Sequence, residues 1–274
     1  MVLSWEQMNQ QLNRVADILN QEDPVSACGP FHMGIDLGTA DVVLIILDQT
    51  GEPVAAFLEW AQVVRDGVVF DFIGAAEIVS GLVDKAQKRL GVELTTATTS
   101  YPPGTDPRIS TNVLERAGLK VAAVDDEPRC VASLLQLDKA AIVDIGGGTT
   151  GTAVVQRGNI VFSDDEPTGG HHISLTLAGH FGISLEEAEK RKRRPNEDGI
   201  LDLALPTIQR ISDIVAGHIR NHLVERIVLT GGTCCLPGVD HIITQELSLP
   251  TLLPCQPLLL TPLSIAALSC QLDI

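Results

Sequence analysis

The amino-acid sequence predicts an α/β protein whose fold arises by duplication of one half. From Met33 the chain reads "MGIDLGTADVVLIILDQTGEPVA", and from Ala140 it reads "AAIVDIGGGTTGTAVVQRGNIVFS". In both stretches an apolar run ends in Asp, Gly and Thr, a second apolar run follows, and a turn glycine comes next. Each half then continues in alternating strands and helices, which is typical of sheets with parallel strands. Hydrophobic residues make up 45% of the chain but aromatic residues only 3%, so the cores consist of aliphatic side chains.

The negative charge of the chain limits the kinds of partner that it can bind. Asp and Glu number 35 against 19 Lys and Arg, which gives a formal net charge of -16. This argues against nucleic acid or an anionic membrane as the main partner. No apolar run is long enough to span a bilayer, and "MVLSWEQMNQQL" lacks the features of a secretory signal. With six cysteines and no C-x-x-C pair, we expect a cytoplasmic protein.

In the first half, the elements follow from periodicity and turn residues. Apolar residues at steps of three and four over residues 3–19 predict an amphipathic helix, and "EDPVSACGP" (22–30) reads as a linker. Further on, the sequence predicts the following elements in order: three strands over 33–54, a helix over 76–91 closed by Gly91, a strand in "ELTTATTSYP", a helix in "DPRISTNVLERAG", a strand in "LKVAAVDD" and a helix in "EPRCVASLLQL".

The second half repeats the outline. The predicted elements are a strand, turn and hairpin over 140–163, helices in "ISLTLAGHFG" and "SLEEAEKRKRRP", a long helix in "LALPTIQRISDIVAGHIRNHL", a buried strand in "RIVLTGG" and a closing helix in "TPLSIAALSCQL". Ser184 with Glu187 three residues later is a helix-start pattern. We therefore expect three segments: 1–30 as an N-terminal helix and linker, 31–138 as a first lobe and 139–274 as a second lobe.

Two Asp-x-Gly turns in duplicated context indicate a phosphate site. Glycine lets backbone N–H groups approach phosphate oxygens, and an aspartate at a strand end can hold Mg²⁺ through water molecules. The sequence here resembles the actin-like ATPase superfamily. "GIDLGTADVVL" is similar to its first phosphate loop, "IVDIGGGTTGTAVV" to its second and "VLTGGTCCLPGV" to its adenosine loop. "DDEPRCVASLL" and "TPLSIAAL" resemble its two connecting segments, and "RDGVVFDF" the segment ahead of its first long helix.

This resemblance implies a duplicated actin-like ATPase fold, ribonuclease H-like, with two lobes around a cleft for ATP and Mg²⁺. It implies that Asp36 and Asp144 face the Mg²⁺ and that Glu127 positions the attacking water, which makes these three the expected catalytic residues. The residues implied to contact nucleotide are Gly38, Thr39, Gly146, Gly147, Gly148, Thr149, Glu189, Lys192, Gly231, Gly232 and Thr233. Taken alone, Glu127 also suits an ordinary helix start.

Three departures from the superfamily pattern favour ATP binding over fast hydrolysis. Leu263 stands where chaperones carry an acid, and Ala266 and Ala267 stand where a glycine is usual. No residue clearly matches the lysine that chaperones aim at the phosphates, although Lys85 and Lys88 are candidates by position. His218 and His222 have an i, i+4 spacing that zinc can use, but the sequence offers no evident third ligand.

Within the superfamily, the chain resembles the EutJ family of ethanolamine utilisation, notably in "TGGHHISLTLAGHFGISLEEAEKRKR". This implies an ATP-binding, chaperone-like protein and a slow ATPase that assists ethanolamine-pathway enzymes or microcompartment shell proteins by nucleotide-switched lobe closure. The alternatives are a reactivating factor for a cobalamin-dependent lyase, a small-molecule kinase of the sugar-kinase type and a filament-forming protein. For the N-terminal helix, docking to a partner and packing on its own lobe both remain open.

Overall fold

The computed structural model describes residues 1–61, 63–65, 68–194 and 199–270. The chain divides into two units: the first holds Met1–Gln136 together with the chain from Leu259 onward, and the second holds Leu137–Leu258. This division differs from the boundaries expected from the sequence at both ends of the chain. The N-terminal segment and the C-terminal helix both belong to the first unit, because each packs on its sheet.

The first unit is built on a five-stranded mixed sheet. The strands of this unit are β1 (His32–Leu37), β2 (Asp41–Leu47), β3 (Pro53–Trp60), β4 (Val64–Arg65), β5 (Val68–Val69), β6 (Thr96–Tyr101) and β7 (Lys120–Asp126). The helices of this unit are α1 (Trp5–Ile18), α2 (Phe72–Leu90), α3 (Arg108–Arg116) and α4 (Glu127–Leu135). The sheet order is β3-β2-β1-β6-β7, while β4 and β5 form a separate small hairpin. Strands β1, β2 and β3 pair antiparallel, whereas β6 pairs parallel with β1 and β7.

The second unit repeats this plan. Its strands are β8 (Ala140–Ile145), β9 (Thr150–Gln156), β10 (Asn159–Glu166), β11 (Arg226–Thr230) and β12 (Thr251–Leu252), and its helices are α5 (Gly170–Phe181), α6 (Leu185–Lys192), α7 (Ile200–Ile219) and α8 (Val239–Leu247), with a 3₁₀ turn at Gly232–Cys235. The order β10-β9-β8-β11-β12 matches that of the first unit strand for strand. The helix α9 (Pro257–Ser269) follows.

Local signals in the sequence account for most element ends. Helix α2 ends at Gly91, whose φ of 67° is a left-handed conformation that glycine adopts without steric cost. Helix α6 begins after Ser184, whose hydroxyl accepts a hydrogen bond from the Glu187 N–H. Helix α8, strand β12 and the β4–β5 hairpin are elements that the sequence pattern did not predict. Of the segment "RDGVVFDF", Asp66 and Gly67 lie outside the described residues.

Helix α1 packs on the first unit through its apolar face. Met8, Leu12 and Val15 are fully buried, and the helix lies against β3. The amide of Gln11 donates to the carbonyl of Gly51 at 2.9 Å, and the N–H of Leu3 donates to the carbonyl of Leu134 at 2.9 Å. Of the two alternatives left open for this helix, the structure shows packing on its own unit.

The segment after α1 is also tied to the first unit. Arg89, only 5% exposed, donates from its guanidinium to the carbonyl oxygens of Val54, Gln21 and Asp23 at 3.0–3.1 Å. Because a buried guanidinium needs acceptors for its N–H groups, these carbonyls hold both α2 and the linker in place.

Helix α9 crosses the first unit at close range. A Cβ added to Gly34 on β1 would overlap the backbone of Ala266, so strand and helix approach too closely for larger side chains. The close approach explains why a small residue, alanine, stands at Ala266. Leu263 is fully buried. A carboxylate at that position would lose its hydration, so the apolar residue suits this helix.

Candidate functional site

The turn after β8 is the first component of the site. Gly146–Thr149 connects β8 to β9, and the N–H of Gly146 donates to the carbonyl of Thr149 at 3.0 Å. Asp144, the penultimate residue of β8, lies between Gly151 of β9 and Thr230 of β11 in the sheet register. The sheet therefore places the aspartate and the glycine turn at the carboxyl end of a central strand, as predicted.

Helix α5 closes over this turn from one side. The N–H groups of Gly170 and His171 donate to the carbonyls of Gly146 and Gly147 at 3.0 and 2.7 Å. In a trans peptide the C=O and the N–H point in opposite directions, so the N–H groups of Gly147 and Gly148 point away from α5. A turn whose amides share one direction can receive phosphate oxygens.

Gly169 and Gly170 make the close contact possible. A Cβ on Gly169 would lie 2.8 Å from the carbonyl oxygen of Gly146, closer than real Cβ atoms come. A Cβ on Gly170 would overlap Thr233 Oγ1 and lie 3.0 Å from Lys192 Nζ. Both glycines were missed as site residues, although "TGGHH" is visible in the sequence as a glycine pair opening a helix.

The predicted pair Glu189 and Lys192 is formed and bonds to the start of α5. Lys192 Nζ donates to Glu189 Oε2 at 2.8 Å and to the carbonyl of Gly170 at 2.9 Å, and the Lys192 side chain is 11% exposed. Ser174 Oγ donates to the same Oε2 at 2.5 Å, and Arg193 Nε donates to Oε1 at 2.8 Å. One partly buried ion pair thus connects α6 to the first turn of α5.

Burial and pairing act against each other in this ion pair. Burial lowers the pKa of Lys192, and the Glu189 carboxylate offsets only part of that effect. For Glu189, burial favours the neutral acid, but Lys192, Ser174 and Arg193 outweigh it and hold the pKa below its ordinary value. Each group therefore stabilises the charged form of its partner. Ser174 was not predicted as a site residue, because the sequence does not show which group a serine inside a helix will bond to.

The third predicted loop follows β11. Gly231 has φ 93°, and a Cβ there would overlap Asp144 Oδ1 and approach the carbonyl oxygen of Ile145. Thr233 Oγ1 donates to the carbonyl of Gly146 at 2.8 Å. The predicted adenosine loop thus contacts the second phosphate turn directly. Within the second unit, the structure brings together the predicted residues of both loops and of the Glu189–Lys192 pair.

In the first unit, the turn after β1 carries the remaining predicted residues. Asp36 lies on β1 opposite Val43, and Gly38 and Thr39 follow in the turn to β2. A Cβ on Gly38 would lie 3.1 Å from Asp41 Oδ1. Glu127 is the first residue of α4, directly after β7.

Carboxylates gather near the buried thiol of Cys130 in α4. Burial raises the pKa of Cys130, and the charges of Asp125, Glu127, Asp126 and Asp36 raise it further. The Asp36 and Glu127 side chains are therefore close enough to act on the same group, which places these two predicted residues in one neighbourhood. Arg129 forms an ion pair with Asp125 at 3.2 Å.

Asp126 is a residue of this neighbourhood that sequence reasoning missed. Burial raises its pKa to about 6, against the opposing effects of Arg129, and its Oδ1 is buried without a hydrogen-bond partner in the described part of the chain. Burial, followed by the charges of Asp126 and Asp125, also raises the pKa of Tyr101 on the adjacent strand. The signal in the sequence was the run "DDE", but a run does not show which acid is buried.

Comparisons with known proteins identify the class of fold. MreB5 of Spiroplasma citri bound to AMPPNP superimposes with a TM-score of 0.69 at 17% identity, covering 89% of this chain and 97% of that one. A family model described as type IV pilus assembly protein PilM matches residues 107–257. The chain has an actin-like ATPase fold.

Closer relatives define the family. Ethanolamine utilization protein EutJ of Escherichia coli K12 is 50% identical over 258 residues, which are 94% of this chain and 92% of that protein. The crystal structure of EutJ from Carboxydothermus hydrogenoformans has a TM-score of 0.90 at 41% identity and covers 96% of this chain and 98% of that one. The chain belongs to the EutJ family. Among the described residues, no helix is both long and apolar enough to cross a membrane.

Proposed function

We propose that this chain is an ATP-binding, chaperone-like protein of ethanolamine utilisation. The pathway follows from its family, whose members carry ethanolamine utilization in their names. ATP binding is supported by one observation above others: the buried Lys192–Glu189 pair is bonded to Gly170 beside the turn of Gly146–Thr149. The fold is also that of an MreB5 whose structures carry AMPPNP and ADP.

The residues of the second unit fit a nucleotide. In the turn Gly146–Thr149, the Gly147 and Gly148 N–H groups point away from α5 toward the proposed phosphate position, and Glu189 with Lys192 offers charged groups for the ribose and the adenine edge. Gly231, Gly232 and Thr233 flank the adenine. The Asp144 carboxylate lies against Gly231, where no larger side chain fits, and in the proposed site it accepts hydrogen bonds from water bound to Mg²⁺.

The residues of the first unit supply the chemistry of slow hydrolysis. Glu127 orients a water molecule and accepts its proton, while Asp36 accepts hydrogen bonds from water bound to Mg²⁺. Gly38 and Thr39 donate to phosphate. Mg²⁺ and ATP, when bound, supply the reactive phosphoryl group and the positive charge that stabilises it.

A client-binding role is supported by exposed apolar side chains of the first unit. Trp60, Phe70 and Ile73 are 50%, 55% and 62% exposed, in a chain with few aromatic residues. Each of these side chains offers apolar area that contact with a client protein would remove from water. The proposed partners are ethanolamine-pathway enzymes or shell proteins of a bacterial microcompartment, and lobe closure on ATP is the proposed switch.

Calorimetry with MgATP tests the nucleotide site. Lys192→Gln removes the buried cation, and we expect affinity to fall about 10- to 100-fold, because hydrogen bonds to charged groups contribute roughly 1.5–3 kcal/mol. Lys190→Gln on the same helix is the matched control, since Lys190 is exposed and pairs only with Glu186 among the described residues. Equal affinities of the two variants, or a wild type that does not bind MgATP, would contradict the proposal.

Phosphate-release assays with purified pathway enzymes and shell proteins test the chaperone role. We expect one of these proteins to raise ATP turnover and to co-purify with the chain in one nucleotide state only. Turnover that requires a sugar or another small acceptor would instead identify a kinase.

A further inference from the structure

We propose that Asp164, Glu166 and His218 form a binding site for a divalent transition-metal ion in the second unit, built from residues that the nucleotide site does not use. One ligand atom from each residue lies within 4.8 Å of the others. His218 Nε2 lies 3.8 Å from Asp164 Oδ2, too far for a hydrogen bond. A tetrahedral metal with bonds of about 2.0–2.2 Å holds its ligands roughly 3.3–3.6 Å apart, so small side-chain rotations suffice.

The fold positions the three side chains from two elements. Asp164 and Glu166 are two residues apart on β10, an edge strand, so their side chains project from the same face. Phe162 precedes them on that face. His218 comes from the last turn of α7, and its ring centroid lies 5.2 Å from that of Phe162. The metal would therefore connect the edge of the sheet to the helix that covers it.

The imidazole of His218 is largely buried, and its Nδ1 makes no hydrogen bond to the described part of the chain. Its side chain is 12% exposed, and its Nδ1 is buried without a hydrogen-bond partner in the described ranges. The carboxylates of Asp164 and Glu166 lie beside the imidazole and offer oxygen ligands to the same ion. A divalent ion between the three side chains would bind the imidazole nitrogen that faces Asp164 together with the two carboxylates.

The set of one imidazole and two carboxylates indicates the class of metal. Nitrogen and oxygen donors without a thiolate suit Mn²⁺ and Zn²⁺. The sequence showed only the spacing of His218 and His222, with no third ligand. The structure supplies the missing ligands from β10, more than 50 residues earlier in the chain.

The site also lies near the segment that closes the phosphate turn. Glu166 pairs with Thr150, the residue after that turn, and α5 begins four positions later at Gly170. A metal bound to Glu166 would thus stabilise the end of β10 from which the chain enters α5.

Titration of Mn²⁺ into the full chain without nucleotide tests the site. We expect one Mn²⁺ per chain, with affinity lowered at least about tenfold in His218→Gln and in Glu166→Gln, and unchanged in Asp144→Ala. His241→Gln, which alters an exposed histidine of α8, is the matched control and should bind as wild type. Manganese is the chosen probe because it avoids the exposed thiols of Cys28, Cys235 and Cys255.

Thermal unfolding of each variant separates lost ligands from lost structure. Glu166→Gln alters a side chain at the end of an edge strand and should leave the melting temperature of the metal-free protein within a few degrees of wild type. Mn²⁺ affinities of His218→Gln and Glu166→Gln equal to that of His241→Gln would overturn the site. So would a wild type that binds no Mn²⁺, or binding that Asp144→Ala abolishes.

Discussion

The turns after β1 and β8 begin with the same Asp-x-Gly pattern at the same place in the same sheet order, yet their surroundings differ. The second-unit turn is enclosed by α5 and by the predicted adenosine loop, and Lys192 bonds to Gly170 of α5 beside it. The first-unit turn lies near a group of acids at the start of α4, with Arg129 as a cation among them.

This difference shows that duplication kept the position of the turn in each sheet but not the side chains around it. Backbone pairing in a five-stranded sheet sets the position of each turn, so the turn survives in both halves. The side chains around it come from helices whose sequences diverged. A turn enclosed by hydrogen bonds and a buried cation suits holding a ligand, whereas a turn beside carboxylates suits activating water. We therefore expect binding and turnover to respond to different units.

The largest expected effect concerns an element that only the first unit has. Leu12→Ala should lower the free energy of unfolding by about 2–5 kcal/mol, because it leaves a cavity between α1 and the sheet. Chemical denaturation checks this. Leu175→Ala in α5 is the control in the other unit, since Leu175 is 49% exposed, and should change stability little. If Leu12→Ala left the free energy of unfolding unchanged, α1 would not be part of the core, and docking to a partner would be the better explanation of its apolar face.

The next prediction separates the two turns by function. Glu127→Ala should bind MgATP nearly as wild type but hydrolyse it on the order of 10²-fold more slowly, because it loses the group that we propose accepts a proton from water. Asp144→Ala should weaken MgATP binding itself. Calorimetry gives the affinities and phosphate release gives the turnover. Equal losses of affinity in both variants would show that the turns share one role.

Glycine substitutions compare how tightly each turn is enclosed. Gly231→Ala introduces a Cβ at φ 93° against Asp144, and we expect a loss of about 1–3 kcal/mol in stability together with weaker nucleotide binding. Gly38→Ala meets Asp41 at 3.0–3.1 Å and should cost less. Gly217→Ala in α7 has open space around it and should be neutral or stabilising, since alanine favours helix. Similar losses at Gly38 and Gly231 would contradict the difference between the turns.

Local patterns predicted the fold well, because hairpins and helix ends depend on nearby residues. Gly91 ends α2 and Ser184 begins α6 through contacts within four residues. The two Asp-x-Gly turns are recognisable from the sequence alone. The family resemblance placed Glu189 and Lys192 in one pair, and the structure shows that pair.

Long-range packing set the limits of prediction. Ser174 and Gly170 join the site only because α5 docks on the turn after β8, which no local pattern reveals. The burial of α1 depends on β3, and the carboxylates beside His218 come from a distant strand. The same holds for Asp126, whose neighbours in the sequence are equally acidic and whose burial distinguishes it.

The smallest expected effect is the dependence of stability on the ionisation of Asp126. Its pKa is about 6 in the folded protein against an ordinary value of 3.8, because burial disfavours the charged form. The folded state therefore holds a proton that the unfolded state releases, so the stabilising contribution is complete below pH 4 and is lost as the pH rises through 6.

Asp126→Asn removes this loss and, after allowance for partial exposure, should raise the free energy of unfolding at pH 7 by about 1 kcal/mol. Denaturation between pH 4 and 7 should show a flatter profile for Asp126→Asn than for wild type, while Asp84→Asn on the exposed face of α2 should keep the wild-type slope. A profile of Asp126→Asn parallel to wild type would show that the acids near the first turn are solvated, and the contrast between the two turns would then rest on the second unit alone.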